Sequence, residues 1–310
     1  MAVGGRSWDT WLVSGALGVA GLLALHSAVP NGIGRLGSLL ETFLPWLGAA
    51  VPVLACAALV VRSWAGLLAC LAPGAVWLWM FGGVWFSSPP GPYDLTVVQH
   101  NVADDNADPA GTARALLATG AGLIAVEELA PAARPVYQGV LGASHPHRAL
   151  HGTVGLWSAY PLSDVRPVDI RPEGFPESWR RALRATVSAP GARVAVYVVH
   201  LPSVRLNPTG LASAARDESA ALLGARIAAD PAGRLLVVGD LNGTVQDRGL
   251  SPLTSRLHAP PSGFAFSWPA GLPVVRIDQV LARGAEVTDV SALEATGSDH
   301  LPVLGRVLLR

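Results

Sequence analysis

Lysine is absent from this chain of 310 residues: all 22 basic residues are arginine, they face 22 acidic residues, and the formal net charge is zero. A chain with no basic excess carries no electrostatic footprint for nucleic acid. The lack of lysine, with so much Ala, Gly and Pro, points to a high-GC bacterial genome rather than a functional demand. Cysteine is nearly missing too. Cys56 and Cys70 both lie in the apolar N-terminal region, so the rest of the chain can hold neither a disulfide nor a thiolate zinc site. Charge itself is scarce, at 14% of residues, and the mean hydropathy of +0.40 is too apolar for a plain soluble enzyme.

The imbalance is local. Residues 1–90 carry only Arg6, Asp9, Arg35, Glu41 and Arg62, which leaves 19 basic and 20 acidic residues for 91–310. Three apolar runs in the first part have the length of membrane spans: about Thr10–Val29, Phe43–Val61 and Trp64–Phe86. Each is near the roughly 20 residues that cross about 30 Å of hydrocarbon as a helix. Seven of the ten tryptophans fall here, several near run ends, where an amphipathic ring prefers the headgroup level. A signal peptide would account for the first run but not for the next two. Arg6 and Arg62 flank one side of the runs, and Arg35, offset by Glu41, the other. The positive-inside rule then sets the N-terminus in the cytoplasm and residues 87–310 outside it. Ser87–Pro92 (SSPPGP) reads as a short Pro/Gly tether that keeps the next domain within tens of ångströms of the bilayer. The expected organisation is therefore a membrane region 1–86 with three transmembrane helices, a tether 87–92 and a globular domain 93–310.

Beyond residue 93 short apolar runs dominate. YDLTVVQHNV reads as a strand ending at Asn101, AGLIAVEEL as a buried strand ending in Glu127 and Glu128, and ARVAVYVVHLPS as one ending at His200. RLLVVGDLN delivers Asp240 and Asn242 to a strand's C-terminal edge, and GSDHLPV sets Asp299 beside His300. A helix starts at Asp108-Pro109 and stops at Gly120, and another covers about Gly210–Ala229. The pattern implies an α+β sandwich with sheets inside and helices outside. Asn101, Glu128, His200, Asp240, Asn242, Asp278, Asp299 and His300 all sit at strand ends, where strands of compatible direction can gather them into one cleft. Carboxylates, amides and water suit a hard divalent cation, and an Asp beside an imidazole fixes its tautomer and favours its charged form.

At this point the chain resembles the endonuclease/exonuclease/phosphatase (DNase I-like) superfamily over about residues 93–310. The motifs are QHNV, IAVEEL, VVHLPS, GDLN, RIDQVL and SDHLPV, in the family's order. The resemblance implies a four-layer α/β/β/α sandwich and phosphoester hydrolysis by in-line attack of water. It implies Glu128 as the principal metal carboxylate for Mg²⁺ or Mn²⁺, with Asn101 beside the metal or the phosphate and Asp299 completing the metal environment. Asp240 would orient or deprotonate the water, and Asn242 would hold it or a phosphate oxygen. His300 would stabilise the pentacovalent phosphorus, Asp278 would hold His300, and His200 would face the scissile phosphate. Arg181 and Ser203 are the substrate-binding candidates. Where nuclease relatives carry an acid after the Asn-Val pair, this chain has Ala103, followed by Asp104.

Several readings stay open in the residues. Glu127 competes with Glu128 as ligand. Arg180, Arg181 and Arg184 bind a second phosphate or pair with surface acids. His145, His147 and His151 read as a solvated loop, and Trp268 as core. The architecture as a whole is similar to bacterial membrane proteins linked to teicoplanin resistance. The expected substrate is a lipid-linked phosphate such as undecaprenyl pyrophosphate, met at the outer leaflet, with no protein partner implied. An anchored extracellular nuclease is the alternative, and a lipid-phosphate binder with a vestigial site is the third reading.

Overall fold

Valine, leucine and isoleucine runs beyond residue 93 form strands because their side chains can serve two cores at once. In RLLVVGD, Leu236 and Val238 face one side of the sheet, while Leu235 and Val237 face the other. The structure is a computed structural model that describes residues 3–85, 91–260 and 263–309. It divides into two units.

The second unit contains two sheets. In the first, six strands lie in the order Glu286–Ala292, Val303–Leu308, Leu95–Asn101, Leu123–Glu127, Val154–Ser158 and His147–His151. In the other, five lie in the order Asp278–Arg283, Leu235–Asp240, Ala192–Val199, Ala182–Ala189 and Leu162–Pro167. Between the sheets Val97, Leu123 and Leu156 pack with Val196, Val238 and Val280. Outside the first sheet, Leu116 and Tyr137 of the Pro109–Ala118 and Arg134–Leu141 helices cover Val98, Ile124 and Trp157. Outside the second, Leu223 and Ile227 of the Ala214–Ala229 helix cover Tyr197 and Val237. The result is the expected helix/sheet/sheet/helix sandwich. Each fully buried Val or Leu contributes roughly 1.5–3 kcal/mol, so the three apolar clusters supply the stability that a polar site at their edge draws on.

Local signals explain the boundaries. The Asp108 side chain accepts from Gly111 N at 2.8 Å, Pro109 opens the helix, and Gly120 takes a left-handed φ of 67° after it. The helix expected from Gly210 starts only at Ala214, since Gly210–Ala212 is extended. His147 and His151 are on a strand rather than in a loop, and His145 is buried with Nε2 2.8 Å from the Ala121 carbonyl.

The first unit comprises Met1–Phe86 with the short segments 208–211 and 246–248. It differs from the expectation of three straight spans. Trp64–Trp85 is long and apolar enough to cross a membrane. A second crossing arises only if Leu36–Thr42 and Leu44–Val60, bent by 69° at their junction, act as one. The first expected run forms the helix Val3–Ala24, which ends before His26 and gives way to a 3₁₀ turn, His26–Ala28. Its apolar part from Thr10 therefore spans only about 22 Å of helix. Glu41 is buried and does not offset Arg35 alone: it accepts from Arg248 Nε at 2.9 Å and Nη2 at 2.8 Å, and His26 Nδ1 lies 3.1 Å away. Most of the expected tether, 87–90, falls outside the described residues.

Gly239 is a tight backbone position at the edge of the sandwich. Its φ is 136°, and a Cβ there would run into the Val199 carbonyl and stand 3.0 Å from Glu127 Oε1. Replacing Gly239 with Ala is expected to lower unfolding free energy by about 3 kcal/mol or more, read by chemical denaturation of the full chain in detergent.

Candidate active site

Two pairs of adjacent strands build the site. Parallel pairing sets Asn101 opposite Glu127 in the first sheet, and antiparallel pairing sets Asp240 opposite Asp278 in the second. Each residue ends or begins its strand, so four polar side chains reach the same edge of the sandwich. His200 directly follows the Ala192–Val199 strand, and its ring is fully buried.

Asp240 is the hub. It is 1% exposed. Asn101 Nδ2 donates to its Oδ2 at 3.1 Å, and the Asn242 backbone N–H donates to its Oδ1 at 2.8 Å. His200 Nε2 and His300 Nε2 lie 3.6 and 3.8 Å from the same Oδ2. Burial raises the Asp240 pKa to about 7, against the pull of His300. His300 Nδ1 lies 2.8 Å from Asp278 Oδ2. Burial alone would lower the His300 pKa, but Asp278 and Asp240 outweigh it and push it up to about 10. Asp278 stays below the usual carboxylate range despite its own burial, because His300 faces it. Ser267 Oγ accepts from the Asp278 backbone N–H at 3.4 Å. Ser298 Oγ donates to the Asn101 carbonyl at 2.7 Å and accepts from His300 N at 3.1 Å, fastening the SDH turn to the first sheet.

The two glutamates separate. Glu127 ends its strand fully buried, and neither carboxylate oxygen meets a hydrogen-bond partner among the described residues. Burial, reinforced by Asp278 and Asp240, raises its pKa well above the ordinary value. Glu128 takes φ 55°, which swings its side chain into the open cleft, 27% exposed, with Oε1 3.7 Å from His200 Nε2. Arg181 Nη1 lies 3.1 Å from both ring nitrogens of His200. Burial and Arg181 hold His200 well below its usual pKa, hence neutral.

Not every candidate gathers. Asp299 is exposed; its backbone carbonyl accepts from Ala270 N at 2.7 Å, and its carboxylate helps hold His300 charged. Ser203 is exposed in the loop beyond His200. The Asn242 side chain donates to the Leu201 carbonyl at 3.0 Å, so it braces the turn, in which Asn242 itself holds φ 47°. Asp104 is exposed, close enough to Arg181 to favour its charge. Trp268 is 38% exposed rather than core.

One residue escaped sequence reasoning. Arg216, 1% exposed on the Ala214–Ala229 helix, donates from Nη1 to the Asn242 carbonyl at 2.9 Å and from Nε to Asp217 Oδ1 at 2.7 Å. A Cβ on Gly243 would overlap Nη1, so the glycine after GDLN makes room for this guanidinium. Nothing in the helix pattern marks Arg216 as buried. Only the glycine beside GDLN hints at a close approach.

The donor set fits a hard divalent cation. Glu128 supplies an accessible carboxylate, Asn101 an amide oxygen and Asp240 a second carboxylate, with no sulfur nearby. Ligand atoms of Asp240, Asp278 and His300 also lie within 4.8 Å of one another. Of these, Asp278 and His300 already satisfy each other, which makes them a charged pair rather than free ligands.

Residues 98–300 match the model of the Endonuclease/Exonuclease/phosphatase family. The chain belongs to this family. No curated protein matches it in sequence. Among solved structures it is similar to sphingomyelinase C from Streptomyces griseocarneus (TM-score 0.54, 18% identity, 70% of this chain and 99% of that one). It is similar to a Staphylococcus aureus beta toxin variant with bound magnesium ions (TM-score 0.53, 15% identity, 69% and 99%). It is also similar to D. rerio TDP2 complexed with a single-strand DNA product (TM-score 0.56, 16% identity, 69% and 98%). At these identities the likeness concerns the fold.

The pair chemistry has a direct readout. In metal-free protein the His300 ring should titrate near 10 by NMR, and Asp278→Asn should bring it down by at least about one unit. Because the folded value lies above 6.5, the stability it lends is complete below that pH and vanishes as pH climbs through 10. Arg216→Lys, which keeps charge but loses the fork, should cut turnover about 10- to 100-fold through a slackened GDLN turn. An unchanged rate would show that the clamp does not reach the chemistry.

Proposed function

We propose that this protein is a metal-dependent phosphohydrolase or phosphodiesterase, held in the cell membrane with its catalytic unit on the extracytoplasmic side. The observation that carries the reading is the arrangement around Asp240: a buried carboxylate poised near neutrality, a charged imidazole beside it and an arginine opposite. In-line phosphoryl transfer needs positioning and positive charge more than covalent help.

Glu128 and Asn101 would hold the metal, with Asp299 at its periphery. Mg²⁺ suits an all-oxygen set, and Mn²⁺ can replace it. When bound, the ion would polarise a phosphoryl oxygen and favour ionised water. The protein's own groups then divide the work. Asp240 takes the proton from the attacking water, and Asn101 keeps its carboxylate aimed. The imidazolium of His300, fixed by Asp278, donates to a phosphoryl oxygen as charge accumulates there. Arg181, pressed against neutral His200, meets the phosphate from the other side.

The substrate follows from the surroundings. Trp11, Leu25, Val60, Trp64, Leu68 and Trp79 are more than half exposed in the first unit. Such a surface supports immersion in a bilayer. A neutral catalytic unit joined to it by a short segment supports a phosphate on a lipid, such as undecaprenyl pyrophosphate, over a polyanion. The resemblance to teicoplanin-resistance membrane proteins points the same way.

The test is phosphate release from lipid phosphates and nicking of plasmid DNA by the purified full chain with Mg²⁺. Asp240→Ala should lose at least about a thousandfold in rate, roughly 4 kcal/mol of barrier. Brisk DNA cleavage with no lipid-phosphate turnover would establish the nuclease instead, and near-normal activity of the variant would remove Asp240 from its role.

A further inference from the structure

The three arginines of SWRRALR go to three different places. Arg184 turns inward, bonding Asp164 and, at 3.1 Å, Asp230. Arg181 faces His200 at the phosphate site. Arg180 lines a cavity of about 390 Å³ with Trp179, Arg171, His151, Asp169 and Glu177. Trp179 belongs to both neighbourhoods: it lines the cavity, and the Arg181 guanidinium carbon sits 5.5 Å from its ring centroid. The cavity and the surroundings of Arg181 therefore share this residue.

The walls select the occupant. Two guanidinium groups and two carboxylates cancel. Burial and the charge of Arg180 lower the His151 pKa, leaving a neutral ring with one donor and one acceptor. A second phosphate would confront Asp169 and Glu177, and a quaternary ammonium would confront Arg171 and Arg180. An acyl chain would strip water from four charged side chains without repaying them. A sugar hydroxyl both donates and accepts, so it can satisfy arginine and carboxylate alike, while the C–H face of a pyranose can lie on the indole.

We infer that this cavity is a subsite for a neutral sugar carried on the substrate's phosphate. The inference rests on the phosphoesterase reading and adds the chemical class of one substituent. Full-length protein in detergent with Mg²⁺ is titrated calorimetrically with N-acetylglucosamine 1-phosphate, phosphocholine and inorganic phosphate. N-acetylglucosamine 1-phosphate should bind at least about tenfold tighter than either of the others. Trp179→Leu should erase that advantage. Because Trp179 also packs on the core, the double change Asp169→Asn with Glu177→Gln, both exposed, tests the same wall without threatening the fold. Equal affinity for the sugar phosphate and inorganic phosphate overturns the inference. So does tightest binding of phosphocholine, or an advantage that survives these substitutions. Hydrolysis of bis(p-nitrophenyl) phosphate, wild type against Asp240→Ala, is measured separately, so failure of the underlying reading shows there and not in the titrations.

Discussion

A charged imidazole buried between two carboxylates is the constraint on which the catalytic unit turns. Removing one ion from water costs several kcal/mol even after relaxation, and the cost is met only when partners and hydrogen bonds are in place. His300 is held by Asp278 at 2.8 Å and faced by Asp240 at 3.8 Å. Take either acid away and the ring has no reason to stay charged in a nearly closed site. The same burial that endangers the pair also strengthens it, since charge away from bulk water is little screened.

That pair can exist because two sheets end at the same place. The register that sets Asp240 opposite Asp278 is fixed by alternation along both strands: a slip of one residue would send Val238 and Val280 out of the central core. The apolar sandwich therefore positions the catalytic groups without touching the substrate. Where the strands stop, the chain leaves ordinary conformations. Glu128 and Asn242 both have positive φ, and Gly239 is extended in a way only glycine tolerates. Strain is concentrated where side chains must turn out of the sheet toward one point. Glu127 lies beneath them, its pKa raised and its carboxyl close to the space left by Gly239.

Around this centre the substrate reading divides by chemistry. On the proposed function, Arg181 and His300 would meet the phosphate, the exposed apolar side chains of the first unit would favour a lipid, and the charge-balanced cavity lined by Trp179 would favour hydroxyls. Neither surface is strongly basic, in keeping with a chain whose charges cancel.

Much of this was legible in the residues, because strands report themselves locally. Apolar runs ending in Asn101, Glu128, His200 and Asp240, and the one that opens just after His300, announced both the sheets and the edge where chemistry would collect. The composition of 1–86 likewise marked an apolar region. It could not tell where helices bend: the break before His26 and the 69° turn near Phe43 depend on how neighbouring helices pack. The charge state of Glu127, the bracing role of Asn242 and the burial of Arg216 were equally hidden, since each depends on residues far away in the chain. The separate destinations of Arg180, Arg181 and Arg184 depended on which way each side chain left the backbone at the start of the Ala182–Ala189 strand. Alternation and motif order belong to neighbours in sequence, so the sequence by itself determined the sandwich and the roster of reactive groups. Distances, exposure and proton affinities arise between residues from about twenty to well over a hundred positions apart, and only the tertiary structure decided them.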